Sequence, residues 1–219
     1  MPLGSPGRKF KGRAVYQGNN VRDQNGNWAI FQDLAPCPST MAASKMADYY
    51  SLSPGHHGEQ ADAEMAYTQA NFRGPTTWVG IPSAQWPPSW YDRKGNAKFR
   101  QPVCRLLKAL YGHPDSGGIW EQHCDSHLRK IGFVEVPSWR SVYFHDKLSV
   151  LLVVYVDDFK MAGPKNGITE AWRLIREKIK VEDPTPYGLL LGCKHEIGEV
   201  TLGKDGPKVR TMTYNVESS

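Results

Sequence analysis

Apolar positions along the chain keep two distinct periods, and where each holds sets the expected elements. From Gly118 to Ile131 the residues Ile119, Trp120, His123, Cys124, His127, Leu128 and Ile131 recur at steps of three and four, predicting a helix. A second helix is expected from Ile168 to Ile179, with Ile168, Ala171, Trp172, Ile175 and Ile179 on one side. A third, capped by Ser39, should run to about Tyr50, with Met41, Ala42, Met46 and Tyr49 or Tyr50 near one face, and end at Ser53-Pro54-Gly55. The strongest strand signal is Leu148 to Val156, rich in β-branched residues. It meets Asp157-Asp158 and resumes as Phe159-Lys160-Met161-Ala162, and two apolar runs joined by two acidic residues describe a hairpin.

Weaker signals fill the remainder. Ala14-Val15-Tyr16 reads as a strand, and turn residues at Gly18-Asn19-Asn20 and Asn25-Gly26-Asn27 predict two short strands separated by a loop. Residues 59–70 read as a short strand passing into a helical turn. Thr76–Ile81 reads as a strand followed by an ordered loop, because five prolines and three tryptophans between Pro75 and Pro102 break any long regular element. Leu189 to Cys193 is expected as a short buried strand, and turns from Gly203 to Pro207 close a tail hairpin. Strands and helices alternate irregularly, which predicts an α+β layer rather than a doubly wound parallel sheet.

Composition narrows the class. The chain has 219 residues, 40% hydrophobic and 22% charged, which suits one large or two small globular domains. The longest apolar run, Val150 to Val156, has seven residues, far below the roughly 20 needed to span a bilayer, so no membrane partner is expected. Residues 1–7 have no apolar core of a signal peptide and read as a flexible leader outside the fold. The formal net charge of +5 mildly favours a polyanionic partner. Cys37, Cys104, Cys124 and Cys193 are scattered without a Cys-x-x-Cys pair, which fits neither a zinc knuckle nor a disulfide framework and suggests an intracellular, reducing setting.

The acidic pair carries the candidate chemistry. Alone, Asp157-Asp158 describes a solvated turn. A core strand leads into it, however, and Asp62 ends another short strand; paired side by side, the two strands would bring the carboxylates together. Like charges about 4 Å apart at an effective dielectric near 20 repel by roughly 4 kcal/mol, so such a cluster calls for a cation. Hard oxygen ligands suit Mg²⁺ or Mn²⁺, and two such ions would activate an attacking hydroxyl and stabilise a leaving phosphate oxygen.

Tyr155-Val156-Asp157-Asp158 between apolar strands resembles the catalytic hairpin of reverse transcriptases. Val103-Cys104-Arg105-Leu106-Leu107-Lys108-Ala109-Leu110-Tyr111-Gly112, followed by Trp120, resembles a block of the copia-type retrotransposon enzymes. Asp62-Ala63-Glu64-Met65-Ala66-Tyr67 resembles that family's first aspartate motif, Lys9 to Val15 its basic fingers strand, and Gly188 to Cys193 the segment supporting the primer end. These blocks stand in the family's order from Lys9 to about Glu196. The resemblance implies a right-hand polymerase over residues 8–219, fingers and palm, with an antiparallel palm sheet packed on helices and the thumb missing. It implies a metal-binding catalytic triad of Asp62, Asp157 and Asp158 holding two Mg²⁺ or Mn²⁺ ions. Lys11 and Arg13 would hold the incoming deoxynucleoside triphosphate, and Tyr67 would exclude a 2′-hydroxyl. Tyr155, Leu191 and Gly192 would lie along template and primer. The plainer alternatives are a palm core aromatic for Tyr67 and a solvated strand face for Lys11 and Arg13.

The implied partners are an RNA template, a DNA primer and dNTPs, in a Pol polyprotein whose integrase and RNase H regions have no room here. One departure is Asp115, which stands where the family has a glutamine in a template-contacting turn and would repel phosphate there. Two rivals remain open. His123 and His127, four apart on a helix, have the spacing of a zinc site, but Cys124 follows where a zincin needs glutamate, so satisfied core histidines are the better reading. A non-catalytic nucleic-acid-binding remnant would use the basic excess and the aromatics without turnover.

Overall fold

A computed structural model of the chain describes residues 12, 14–29, 31, 39–190, 193–204 and 206–216. In chain order, α1 (Met41–Ser51) leads to β1 (His56–Asp62), α2 (Ala66–Gln69), β2 (Trp78–Gly80) and β3 (Val103–Arg105). There follow α3 (Ser116–Lys130), β4 (Val134–Glu135), β5 (Val142–His145), β6 (Val150–Tyr155), β7 (Asp158–Pro164) and α4 (Lys165–Arg176). The chain closes with β8 (Thr185–Pro186), β9 (Leu189–Leu190), β10 (Cys193–Thr201) and β11 (Lys208–Val216). The result is a mixed α and β architecture with antiparallel sheets. A six-stranded sheet runs β4-β5-β6-β7-β1-β8, a three-stranded sheet β11-β10-β9, and β2 pairs with β3.

Both faces of the central strands are covered, which is why β6 reads as a continuous apolar run instead of an alternating one. On one face Val150, Leu152, Val154, Phe159 and Met161 pack with Trp120 and Leu128 of α3 and Ile168, Trp172 and Ile175 of α4. The periodicities of α3 and α4 therefore bury as expected. On the other face Leu151, Val153 and Ala162 pack under Ala43 and Ala47 of α1.

That second face corrects the reading of α1. The side turned inward carries Ala43, Ser44, Ala47, Asp48 and Ser51, while Met41, Met46 and Tyr49 are exposed. Small residues let the helix lie close to the strands, and Asp48 is drawn in by a buried lysine described below. The helix is capped by the Thr40 side chain, which accepts from the Ala43 N–H at 3.3 Å, not by Ser39.

The N-terminal strands also fail to form. Among the described residues from 14 to 31 there is a 3₁₀ turn at Gly18–Asn20 and a single bridge, Arg22 to Trp28. Asp23 Oδ1 accepts from the Asn25 and Asn27 N–H groups, both at 2.8 Å, occupying donors a ladder would have used. The Tyr16 N–H instead donates to the Tyr111 carbonyl at 2.6 Å, docking this segment on the turn before α3. The tail hairpin is longer than its turn signal suggested, with nine register pairs from Cys193–Val216 to Thr201–Lys208.

Candidate active site

β1 and β7 are antiparallel neighbours, and their register sets Asp62 directly opposite Asp158. β6 and β7 form the expected hairpin, with Tyr155 opposite Asp158 and Val156-Asp157 as the turn between them. Asp62 is exposed, whereas Asp157 and Asp158 are half-buried. The turn is pinned from both sides. The Ala63 N–H donates to the Asp157 carbonyl at 2.7 Å, and Trp120 Nε1 donates to the Val156 carbonyl at 2.7 Å. Val156 is held at φ 58°, a left-handed conformation disfavoured for a β-branched residue.

Charge is concentrated at this end of the sheet. The Asp158 carboxyl is pushed up to about 6, first by burial, then by the Asp62 and Asp157 charges and by its hydrogen bond with the Asp62 carboxyl. Tyr67, at the start of α2, packs its ring against that of Tyr111, with centroids 4.4 Å apart and the planes tilted by 41°. Burial, Tyr111 and the Asp157 charge together raise its phenol above the ordinary range.

The sequence-predicted residues divide into three groups. Asp62, Asp158 and Tyr155 converge, with Asp157 at the tip beside them and Tyr67 within electrostatic reach of Asp157. Lys11, Arg13, Leu191 and Gly192 lie outside the described residues. Asp115, expected in a template-contacting turn, is 9% exposed and stands immediately before α3, with its carbonyl accepting from the Ile119 N–H at 3.0 Å. Its N–H donates to His113 Nδ1 at 3.1 Å.

The histidine pair on α3 is structural. His127 is buried with Nε2 3.3 Å from the Leu174 carbonyl, and His123 stacks on Trp120 with ring centroids 5.8 Å apart. Burial lowers the pKa of both imidazoles. Among the described residues, no group of three or more His, Cys, Asp or Glu side chains gathers closely enough to hold a metal ion. The aspartates thus offer a facing pair, Asp62 and Asp158, with Asp157 next to it in the turn and its charge acting on Asp158. Two hard oxygen donors carrying unmet negative charge suit a divalent cation whose other ligands come from elsewhere.

The sequence reading missed a buried ion pair behind this site. Lys160, between Phe159 and Met161 on β7, is 2% exposed, and its Nζ lies 2.6 Å from Asp48 Oδ1. The available signal was a lysine inside an apolar strand, which requires a carboxylate partner once buried. Gln69 was missed as well. Its Nε2 donates to the Glu64 and Lys180 carbonyls at 2.7 and 2.9 Å, and its Oε1 accepts from the Lys180 N–H at 2.8 Å, fastening α2 to the segment after α4.

No protein-family model matches the chain. Among solved structures, a telomerase from Candida albicans in complex with a TWJ fragment of telomeric RNA aligns over 75% of this chain, with a TM-score of 0.37 and 11% identity. The alignment covers 34% of that telomerase chain, so the present chain spans about a third of its length. A likeness of that extent sets neither fold nor activity. No helix among the described residues is long and apolar enough to cross a membrane.

Proposed function

We propose that the chain is the fingers and palm, residues 8–219, of a copia-type reverse transcriptase, an intracellular enzyme of a retrotransposon Pol polyprotein. It would extend a DNA primer on an RNA or DNA template with dNTPs. The observation that carries this reading is the pairing of Asp62 with Asp158 across adjacent strands, at the tip of the Tyr155-Val156-Asp157-Asp158 hairpin. The ordered series of motifs from Lys9 to about Glu196 supports the family assignment.

In the reaction the primer 3′-hydroxyl gives up its proton to solvent, its oxygen bonds to the α-phosphorus of the dNTP, the bond from that phosphorus to the bridging oxygen of the β-phosphate breaks, and pyrophosphate leaves. Asp62 and Asp158 would hold Mg²⁺ or Mn²⁺, with Asp157 beside them, and the ions when bound would supply charge stabilisation at the attacking and leaving oxygens. The chain's own contribution is positional. The carbonyls of Val156 and Asp157 are tied to Trp120 and Ala63, so the carboxylates sit on a turn that does not need to reorganise. Tyr67, braced by Tyr111, would lie beneath the sugar and select against a 2′-hydroxyl.

The test is primer extension on an RNA template with Mg²⁺ or Mn²⁺ titrated into the purified chain, beside Asp157→Asn. Extension that requires the metal and disappears in the variant is the expected result. A second reading, binding of nucleic acid without turnover, is favoured by the formal net charge of +5. Its signature is no extension, with RNA binding that weakens steeply with salt and ignores the mutation.

A further inference from the structure

A buried charge that this chemistry leaves unused stands next to it. Lys160 follows Asp158 by two residues on β7, so both side chains project from the same face of the sheet. Asp158 faces Tyr155 and Asp62 in register, and Lys160 faces Val153 and Gln60. Asp158, Lys160, Tyr155 and Ser44 line one small cleft together with Thr40, the N-cap of α1, and Met41, its first residue.

Within that cleft the ammonium is turned toward α1. Lys160 Nζ lies 2.6 Å from Asp48 Oδ1, as an ion pair, and donates to Ser44 Oγ at 2.9 Å. It is 3.4 Å from His195 Nε2 and sits over the Tyr187 ring, 4.7 Å from the centroid. Asp48 is 1% exposed and is held in turn: the Tyr214 hydroxyl donates to its Oδ2 at 3.0 Å, and His195 Nε2 lies 3.5 Å from the same oxygen.

Two residues along a strand span roughly 6.7 Å, and a lysine stem of four methylenes has a comparable reach. The ammonium therefore has two acidic destinations on one face, Asp48 behind it and the Asp62/Asp158 pair ahead. Settled on Asp158, it would be an internal counter-ion and would compete with any divalent cation.

We propose that Asp48 is a positioning residue that holds the Lys160 ammonium away from Asp158, so that the facing carboxylates keep their charge for a cation from outside. The proposal rests on the metal-dependent reading above. Losing the Asp48 charge strands a buried ammonium, and the next carboxylate along its own face of β7 is Asp158. Removing both charges leaves nothing to rotate.

The experiment compares Mn²⁺ binding, read by electron paramagnetic resonance of free Mn²⁺, across the full chain, Asp48→Asn and the double variant Asp48→Asn/Lys160→Met, with crystal structures of the first two. Asp48→Asn is expected to weaken Mn²⁺ binding by roughly tenfold or more, and the double variant to recover to within about threefold of the parent chain. In crystals of Asp48→Asn, Lys160 Nζ is expected within hydrogen-bond distance of Asp158. If Asp48→Asn does not fold, Tyr214→Phe, at the half-exposed rim of the cluster, carries the same prediction at a few-fold size. Unchanged Mn²⁺ binding in these variants, or a double variant as weak as the single one, overturns the proposal. If the parent chain binds no Mn²⁺, the metal-dependent reading fails and the benefit to a cation fails with it, and the crystal position of Lys160 Nζ in Asp48→Asn decides the positioning role alone: on Asp158 it supports Asp48 as the residue that positions Lys160, on residue 48 it overturns that role.

Discussion

Asp62 and Asp158 face each other as register partners of β1 and β7, and a hydrogen bond between their carboxyls accompanies the raised pKa of Asp158. Two carboxyls in that relation share a proton most comfortably when no cation is present. The site is thus assembled at an electrostatic cost that the rest of the fold offsets.

Neutralising either member should separate chemistry from folding. Asp62→Asn and Asp158→Asn are each expected to lower metal-dependent primer extension by more than about a hundredfold, the scale of losing a principal charge-stabilising group. Circular dichroism spectra should be unchanged. In metal-free buffer the melting temperature of Asp158→Asn should hold or rise by roughly 2–4 °C, as about 1 kcal/mol of repulsion is relieved. A large drop in melting temperature would contradict this account of the pair.

The same repulsion predicts a pH dependence. The Asp158 carboxyl ionises near 6 in the folded protein, against about 3.9 in an unfolded chain. Between those values the folded state retains a proton that the unfolded chain has lost, so this group favours folding below about pH 4 and that contribution disappears as pH rises through about 6. In metal-free urea titrations the stability advantage of Asp158→Asn over the parent should grow from pH 4 to 6 and then level off. Its plateau should be about 1 kcal/mol, because solvent screens a half-exposed group.

Val156 is held in a left-handed conformation by contacts to its own and the following carbonyl, which a glycine would keep. Val156→Gly should therefore raise stability by about 1 kcal/mol, the relief of backbone strain less the entropy of a glycine. A higher urea midpoint with unchanged slope is the expected result, and a lower midpoint would mean that the valine side chain packs more than the strain costs.

Gly58 is the point on β1 against which the Tyr187 ring lies, and an added Cβ would collide with three of its ring carbons. The ring is otherwise anchored by its hydroxyl donating to the Met161 carbonyl at 2.8 Å. Gly58→Ala should cost about 2–3 kcal/mol through displacement of that ring. Near-ultraviolet circular dichroism should change along with the denaturation midpoint, since an aromatic side chain loses its fixed setting.

The sequence by itself determined the elements whose buried faces are apolar. The periodic helices Ser116–Lys130 and Lys165–Arg176, and the hairpin from Val150 through Asp157-Asp158 to Pro164, were legible because burial there follows hydrophobicity. The neighbouring carboxylates of Asp157 and Asp158 were equally plain, as was the possibility that Asp62 joins them. What tertiary structure alone decided is where polarity turns inward. The helix at Met41–Ser51 buries Ser44 and Asp48 and exposes Met41 and Tyr49, because Lys160 across the gap requires a carboxylate more than the helix requires its methionines covered. Asp115 is enclosed by its own helix start, and the expected strand at Ala14–Tyr16 gives its backbone donor to Tyr111. The Asp48–Lys160 pair and the Tyr16–Tyr111 bond join residues far apart in the chain, and the energy of a buried polar group is set by its partner and not by the group itself.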